Sequence, residues 1–87
     1  INMSNTENWI LNWFQENTNV LQHEINENRD ENYFIKGWID SLKFISFISD
    51  IENQFKISFL NNEFQDRKFS TINGIIKILE VKINESI

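Results

Sequence analysis

The stretch Gly37-Trp38-Ile39-Asp40-Ser41-Leu42 places a carboxylate, a hydroxyl and an apolar side chain side by side at the start of an expected helix. Asp40 and Ser41 are good helix-start residues, because their short side chains accept hydrogen bonds from the free N–H groups of a first turn. These amides and the helix dipole also favour a negatively charged group at this end. The combination indicates a place where a group is attached and presented to other molecules.

The helix that positions this stretch is expected from Leu42 to Phe55. Its apolar residues fall on one arc when projected at roughly 100° per residue. They are Phe44, Ile45, Phe47, Ile48, Ile51 and Phe55. The opposite side consists of Lys43, Ser46, Ser49, Asp50 and Asn53. Leu42 falls among these polar residues beside Ser41, where a helix with a purely structural role has no use for a leucine.

A first helix is expected before the central one. Trp9, Ile10, Trp13 and Phe14 recur on one of its faces, and both tryptophans are assigned to the core. Ser4 and Glu7 have the spacing of a capping box at its start. The helix is expected to end near residues 17–19.

Two more helices are expected after the central one. The third is short, holds Phe64 and is capped by Asn61 or Asn62. The last is capped by Ser70 or Thr71, and its apolar face consists of Ile72, Ile75, Ile76, Leu79 and Ile83. The sequence therefore predicts an all-α fold, a small four-helix bundle of three main helices and a short third helix.

Residues 19–40 are the least periodic part of the chain. We expect a long surface loop here, with at most a short helical turn, and loops of this length in small domains are commonly functional. Tyr33, Phe34 and Ile35 are expected to pin the end of this loop to the core. His23 is the only histidine, and with neither cysteine nor a second histidine a solvated side chain is favoured over a metal ligand or a catalytic base.

The composition fits one small domain, residues 1–87. Hydrophobic residues make up 40% of the chain, enough for one compact core. It has no cysteine, so any thiol chemistry requires a bound group. The net charge of -5 argues against nucleic acids and anionic membranes as partners, and no apolar run is long enough to span a bilayer. We expect a cytoplasmic monomer that naturally starts at Met3, with residues 1–4 disordered or vector-derived.

Three segments of the chain resemble one known family in order and spacing. The stretch from Gly37 to Leu42 resembles the attachment motif of acyl and peptidyl carrier proteins, the phosphopantetheine-binding domains. Residues 51–57, Ile-Glu-Asn-Gln-Phe-Lys-Ile, resemble the family's acidic helix that ends in Phe-x-Ile. Residues 69–72, Phe-Ser-Thr-Ile, resemble the entry into its last helix. The resemblance extends from Trp9 to about Ile83 and implies an acyl-carrier-protein-like fold.

The resemblance implies roles for the residues around Ser41. Ser41 would receive 4'-phosphopantetheine from coenzyme A in a reaction run by a separate phosphopantetheinyl transferase. Asp40 would cap the helix and help to hold the Mg²⁺ that the transferase uses. The residues expected to dock partners are Leu42, Trp38, Lys43, Ile45 and Ser46. The chain would then be a stand-alone carrier of thioester-bound groups rather than an enzyme, and its further partners would be acyl- or aminoacyl-loading enzymes and downstream synthases.

The chain departs from the family pattern at two places. The residues at the positions of Lys43 and Ser46 are usually acidic in fatty-acid carriers, where they steer basic partners. Gly37-Trp38 also replaces the usual Leu-Gly pair. The form Gly-x-Ile-Asp-Ser resembles stand-alone carriers of specialised pathways, or aminoacyl and peptidyl carriers, more than the carriers of housekeeping fatty-acid synthesis. Trp38 either lines the approach to the arm or covers the loop, and the sequence favours neither.

The alternative function is a non-catalytic helical interaction module without a prosthetic group, in which Ser41 is only a helix cap. This hypothesis accounts for Asp40 and Ser41 but leaves Leu42 on the polar face unexplained. An autonomous enzyme is disfavoured, because no His or Lys is spaced to activate Ser41 and no nucleophile-elbow pattern is present. The sequence leaves open whether the cargo is a fatty, polyketide, amino-acid or other acid, and whether the core admits an acyl chain.

Overall fold

The computed structural model describes residues 5–85, with the side chains of residues 5–84. The α-helices of this part are α1 (Asn5–Asn17), α2 (Gln22–Glu27), α3 (Ser41–Phe55) and α4 (Ile72–Glu85). Two 3₁₀ helices, Asn61–Gln65 and Arg67–Ser70, lie between α3 and α4, and residues 5–85 contain no strand. The predicted all-α class is confirmed. Ser4 of the predicted capping box and the expectations for residues 1–4 lie outside the described residues.

The core receives buried side chains from all four α-helices. The helical members are Ile10, Trp13, Phe14, Ile25, Phe47, Ile48, Ile51, Ile72, Ile75, Ile76 and Leu79. At its centre the ring of Phe47 packs against those of Trp13 and Phe14, with centroids 4.4 and 5.3 Å apart. Trp9 is half-buried and packs edge-on against Phe55. Within residues 5–85, no helix combines the length and apolar character needed to cross a membrane.

The apolar arc predicted for α3 agrees with the observed burial except at one residue. Phe47, Ile48 and Ile51 are buried, whereas Ile45, predicted on the same arc, is 64% exposed. Ile45 projects roughly 100° from Phe44, at the margin of the arc, where a helix packed on one side meets solvent. The helix ends at Phe55, and its C-cap, Lys56, adopts a left-handed conformation with φ 58° and donates its N–H to the carbonyl of Glu52.

The segment of residues 19–40, expected to be a long loop, contains α2 and a series of turns. Ile25 is the only buried residue of α2 and packs it onto the core. A single apolar residue in a six-residue helix produces no recognisable periodicity, so the sequence shows at most a helical turn at this place. His23 is exposed on α2.

Tyr33 fixes the end of this segment, while Ile35 does not. Tyr33 is fully buried, its N–H donates to the carbonyl of Ser70 over 3.0 Å, and its hydroxyl donates to the carbonyl of Phe69. Burial raises the pKa of the Tyr33 phenol well above its usual value. Ile35 is 83% exposed, so the expectation that it packs on the core is wrong. The side chain of Asn32 accepts from the N–H groups of Phe34 and Ile35, which forms a turn with Ile35 at its outer side.

The short third helix around Phe64 is the 3₁₀ helix Asn61–Gln65. Asn61 and Asn62 lie inside it and do not cap it. The N-cap is Leu60, whose N–H donates to the carboxylate of Glu63 over 2.9 Å. Glu63 also accepts from the Lys82 ammonium over 2.7 Å, and this hydrogen bond lowers the pKa of the Glu63 carboxyl. The pair connects the 3₁₀ helix to α4.

The start of α4 is held by Thr71, one of the two predicted caps. Its hydroxyl accepts from the N–H of Gly74 over 2.9 Å. A Cβ atom at Gly74 would lie only 2.6 Å from the Thr71 hydroxyl and 2.7 Å from the Cα of Lys68. A glycine at this position therefore allows α4 to approach the second 3₁₀ helix closely.

Candidate functional site

Ser41 is the first residue of α3, and its side chain is exposed. Asp40 is the N-cap, with extended backbone, and its carboxylate accepts from the N–H of Lys43 over 2.8 Å. Its carbonyl accepts from the N–H of Phe44 over 2.9 Å. The cap predicted from the sequence is therefore formed by Asp40, and the Ser41 hydroxyl is not used for capping.

The first turn of α3 is a favourable place for an anion. The first N–H groups of any α-helix have no acceptor within the helix. In α3, the N–H group of Lys43 donates to the Asp40 carboxylate. The amides of Ser41 and Leu42 precede it at the positive end of the helix dipole. A negatively charged group on the Ser41 oxygen would lie next to this end of the helix.

An apolar surface borders Ser41 along α3. Leu42 is 79% exposed, as its position on the polar side predicts, and Ile45 is exposed one turn further on. Beside them lies a groove of about 340 Å³ between α3 and the first 3₁₀ helix, lined mainly by Phe44, Ile45, Ile48 and Phe64. We call it the apolar groove. Ser46 is exposed on α3 and does not line it.

Trp38 stands on the other side of Ser41. Its N–H donates to the carbonyl of Tyr33 over 3.0 Å, and its half-buried ring packs edge-on against Phe14. Gly37, with φ 78°, gives the turn that brings Trp38 to this place. A groove of about 460 Å³, the Ser41 groove, is lined by Phe34, Gly37, Trp38, Ile39, Asp40, Ser41 and Lys43.

Lys43 forms the polar side of the site. Its ammonium donates to the carbonyl of Asn17, the last residue of α1, over 2.6 Å. A cation is favoured there because the last carbonyls of a helix have no donor and carry the negative end of the dipole. Lys43 also lines a polar groove of about 540 Å³ that reaches the end of α1, the α1 groove, together with Glu16, Asn17, Thr18, Asn19, Val20, Glu24, Lys36, Gly37 and Trp38.

The acidic residues of α3 have structural partners. Asp50 accepts from the indole N–H of Trp13 over 2.9 Å, and Glu52 accepts from the N–H of Phe59 over 2.9 Å. Each carboxylate thus supports the packing of another segment. The first two turns of α3 contain Lys43 and no acidic residue after the Asp40 cap.

Ser41 is exposed to solvent. Within the described side chains, no histidine or lysine hydrogen-bonds to its hydroxyl. No group of three or more His, Cys, Asp or Glu side chains in residues 5–84 is placed to hold a metal ion. Chemically, the site is an exposed hydroxyl beside a carboxylate, at a helix start, between apolar and polar surfaces.

The structure brings Ser41, Asp40, Lys43 and Trp38 together around one groove, with Leu42 and Ile45 on the adjoining surface. Sequence analysis assigned Phe34 to the core, whereas its ring is partly exposed, packs against Phe44 with centroids 5.2 Å apart and lines the Ser41 groove. It did not connect Lys36, Asn17 or Phe64 with the grooves that they line. The indication in the sequence was the run of apolar residues from Tyr33 to Ile35 at the end of a polar segment.

Comparison of the chain with protein-family models, with curated proteins and with solved structures finds no match.

Proposed function

We propose that the chain is a carrier domain of the acyl or peptidyl carrier type, in which Ser41 bears a 4'-phosphopantetheine arm. The observation that supports this most is the exposed Ser41 hydroxyl at the first position of α3, with Asp40 as the cap and Leu42 exposed beside it. An exposed leucine gives a partner a hydrophobic contact next to the hydroxyl. The all-α fold and the three sequence segments that resemble the carrier family are consistent with this function.

Loading transfers the 4'-phosphopantetheinyl group of coenzyme A to Ser41, in a reaction that a separate transferase catalyses with Mg²⁺. The Ser41 oxygen loses its proton and bonds to the phosphorus that bears pantetheine. The bond from this phosphorus to the bridging oxygen of the diphosphate breaks, and adenosine 3',5'-bisphosphate leaves. Asp40, adjacent to Ser41, supplies carboxylate oxygens of the kind that Mg²⁺ prefers. The bound arm supplies a thiol, absent from this cysteine-free chain, on which acyl or aminoacyl groups are held as thioesters.

The residues around Ser41 fit the phosphodiester that this reaction would leave. The first-turn amides and the dipole of α3 favour its negative charge. Leu42, Ile45 and Ser46 provide an exposed surface for the transferase, the loading enzymes and the downstream synthases.

The test is the intact mass of the protein after incubation with a promiscuous phosphopantetheinyl transferase, Mg²⁺ and coenzyme A. The wild-type chain is expected to gain the mass of the arm, and Ser41→Ala is expected to gain nothing. Ser46→Ala is the matched control, because Ser46 is also an exposed serine of α3, and it should load like the wild type. Ser41→Ala should keep its thermal midpoint, since the cap is the side chain of Asp40.

Two results would contradict the proposal. Loading of Ser41→Ala would show that another residue is modified. Failure of the wild type to load, with the promiscuous transferase and with one from the organism that makes this protein, would favour the helical interaction module without a prosthetic group.

A further inference from the structure

α2 is the shortest of the four α-helices and has a single buried residue, Ile25. Its N-cap is Leu21, whose side chain makes no capping hydrogen bond. Residues 19–21 before it and residues 31–32 beyond the turn that follows it lie outside any helix. Helices of six residues are not stable on their own in water, so α2 depends on the contacts that hold it to the rest of the protein.

The contact between α1 and α2 is incompletely packed. A hollow of about 150 Å³ lies between the two helices, and its apolar lining consists of Leu11 and Ile25. The rest of its lining is carboxamide side chains: Asn8, Asn12, Gln15, Gln22 and Asn26. Within the described side chains, none of these amides forms a hydrogen bond. No side-chain hydrogen bond therefore joins the facing surfaces of α1 and α2.

The turn that follows α2 is bonded to α4 through Asn73. The N–H of Asn73 donates to the carbonyl of Arg29 over 3.0 Å, and its side-chain oxygen accepts from Nε of Arg29 over 2.9 Å. Its side-chain N–H donates to the carboxylate of Asp30 over 2.8 Å. Arg29 also forms an ion pair with Glu7 of α1. We call these bonds the Asn73 latch.

We propose that residues 22–30, which are α2 and the turn after it, form a lid that the Asn73 latch holds closed. The lid opens as one unit while α1, α3 and α4 stay folded. The bonds of the latch share Asn73 and Arg29, and linked hydrogen bonds strengthen one another, so they break together. The opening unit ends before Tyr33, because Tyr33 is fully buried and its N–H is bonded to the carbonyl of Ser70.

Opening of the lid changes an apolar part of the surface. Ile25 is 1% exposed when the lid is closed, and it enters solvent when the lid opens. The hollow beside Leu11 opens at the same time. No residue of the lid lines the Ser41 groove, so the lid is independent of the proposed carrier function.

The test is native-state hydrogen exchange of the chain, followed by NMR at low concentrations of denaturant. The N–H of Ile25 donates to the carbonyl of Leu21, and that of Asn73 donates to the carbonyl of Arg29. Both are expected to exchange with the same free energy of opening, lower than that of Phe47 in the core of α3. Asn73 is the diagnostic residue, because it belongs to α4 but is bonded to the lid.

Two variants separate opening of the lid from unfolding of the whole chain. Asn73→Ala removes the side-chain bonds of the latch and should accelerate exchange at Ile25 and at Phe47 roughly tenfold, because it destabilises the closed state relative to every open one. Ile48→Val removes a buried methylene from α3 and should accelerate exchange at Phe47 roughly two- to tenfold. It should leave Ile25 unchanged, because α3 stays packed when only the lid is open.

Three results would overturn the lid. A single free energy of opening for Ile25 and Phe47 would mean that α2 opens only when the chain unfolds. Exchange of Asn73 together with Leu79 inside α4, rather than with Ile25, would mean that the latch does not close the lid. Equal acceleration of Ile25 and Phe47 by Ile48→Val would exclude a state in which α2 alone is open. The wild-type and Ile48→Val measurements decide the question even if Asn73→Ala does not fold.

Discussion

Lys43 connects the framework of the fold to the candidate site. Its ammonium satisfies the carbonyl of Asn17 at the end of α1, and its N–H donates to the carboxylate of Asp40 at the start of α3. One residue therefore fixes two helix ends against each other. The position of Ser41 relative to α1 depends on it, so a cation at this place has a structural reason in addition to any role with partners.

At the same scale, Gly74→Ala is expected to destabilise the protein. In an ordinary helix this change stabilises by roughly 0.5–1 kcal/mol, because alanine loses less conformational freedom on folding. Here the new Cβ would meet Thr71 and the backbone of Lys68, and such overpacking costs about 1–3 kcal/mol. Thermal unfolding of Gly74→Ala beside Lys77→Ala, an exposed position of α4, measures the difference. A raised midpoint for Gly74→Ala would contradict the close approach of α4 to the 3₁₀ helix.

The single tyrosine gives a prediction about alkaline pH. Burial raises the pKa of Tyr33 in the folded chain, whereas an unfolded chain ionises its tyrosine near pH 10. Above that pH the unfolded state binds fewer protons than the folded state, so the free energy of unfolding falls as the pH rises. Absorbance should show phenolate only as the chain unfolds, and Tyr33→Phe should lessen the alkaline loss of stability. A phenolate spectrum in the folded chain would contradict the burial of Tyr33.

At the scale of elements, α3 has a buried side and an exposed side. Ile48 is 8% exposed and Ile45 is 64% exposed, although both are isoleucines of the same helix. Ile48→Ala should lower the free energy of unfolding by roughly 2–5 kcal/mol, as buried large-to-small changes do. Ile45→Ala, the matched control, should stay within about 0.5 kcal/mol of the wild type. Similar unfolding free energies in urea for the two variants would refute this division of α3.

The elements that the sequence predicts best are those with caps and long periodic faces. α3 and α4 have both, so the Asp40 and Thr71 caps and most of their apolar positions are as predicted. The shorter elements depend on contacts that periodicity does not contain. Ile25 is the only buried residue of α2. At the start of the first 3₁₀ helix the N-cap is Leu60, and the side chain that bonds its N–H is Glu63, three residues later, rather than an asparagine.

The candidate site likewise contains a part that the sequence predicts and a part that it does not. Asp40, Ser41 and Leu42 are consecutive, so local helix rules place them correctly. The α1 groove is formed by residues far apart in the chain, and its wall includes the bond from Lys43 to Asn17, 26 residues earlier. Helix periodicity predicts which side of an element is apolar but not which distant polar group meets it. Grooves between elements are therefore absent from the sequence prediction.

At the scale of the whole molecule, the charge near Ser41 differs from the charge of the chain. Acidic residues outnumber basic ones, 13 to 8. In the first two turns of α3, however, Lys43 is the one charged residue after the Asp40 cap, and the acids further along α3 support packing through Trp13 and Phe59. The grooves beside Ser41 are lined by Asp40, Glu16 and Glu24 as well as by Lys43 and Lys36. A partner that approaches α3 thus meets an apolar surface with a lysine at its margin. On the proposed carrier function, local charge rather than net charge is expected to decide which transferase binds.

This leads to a prediction about loading kinetics with a transferase that serves acidic carriers. The variant Ser46→Glu, which leaves the bond from Lys43 to Asn17 in place, should load several-fold faster at low salt, because complementary charge raises association rates. The gain should disappear near 1 M salt, where charges are screened beyond about 3 Å. Ser58→Glu changes the net charge by the same amount after the other end of α3, and should gain much less. Equal acceleration of both variants would mean that the transferase responds to the charge of the whole molecule rather than to the surface beside Ser41.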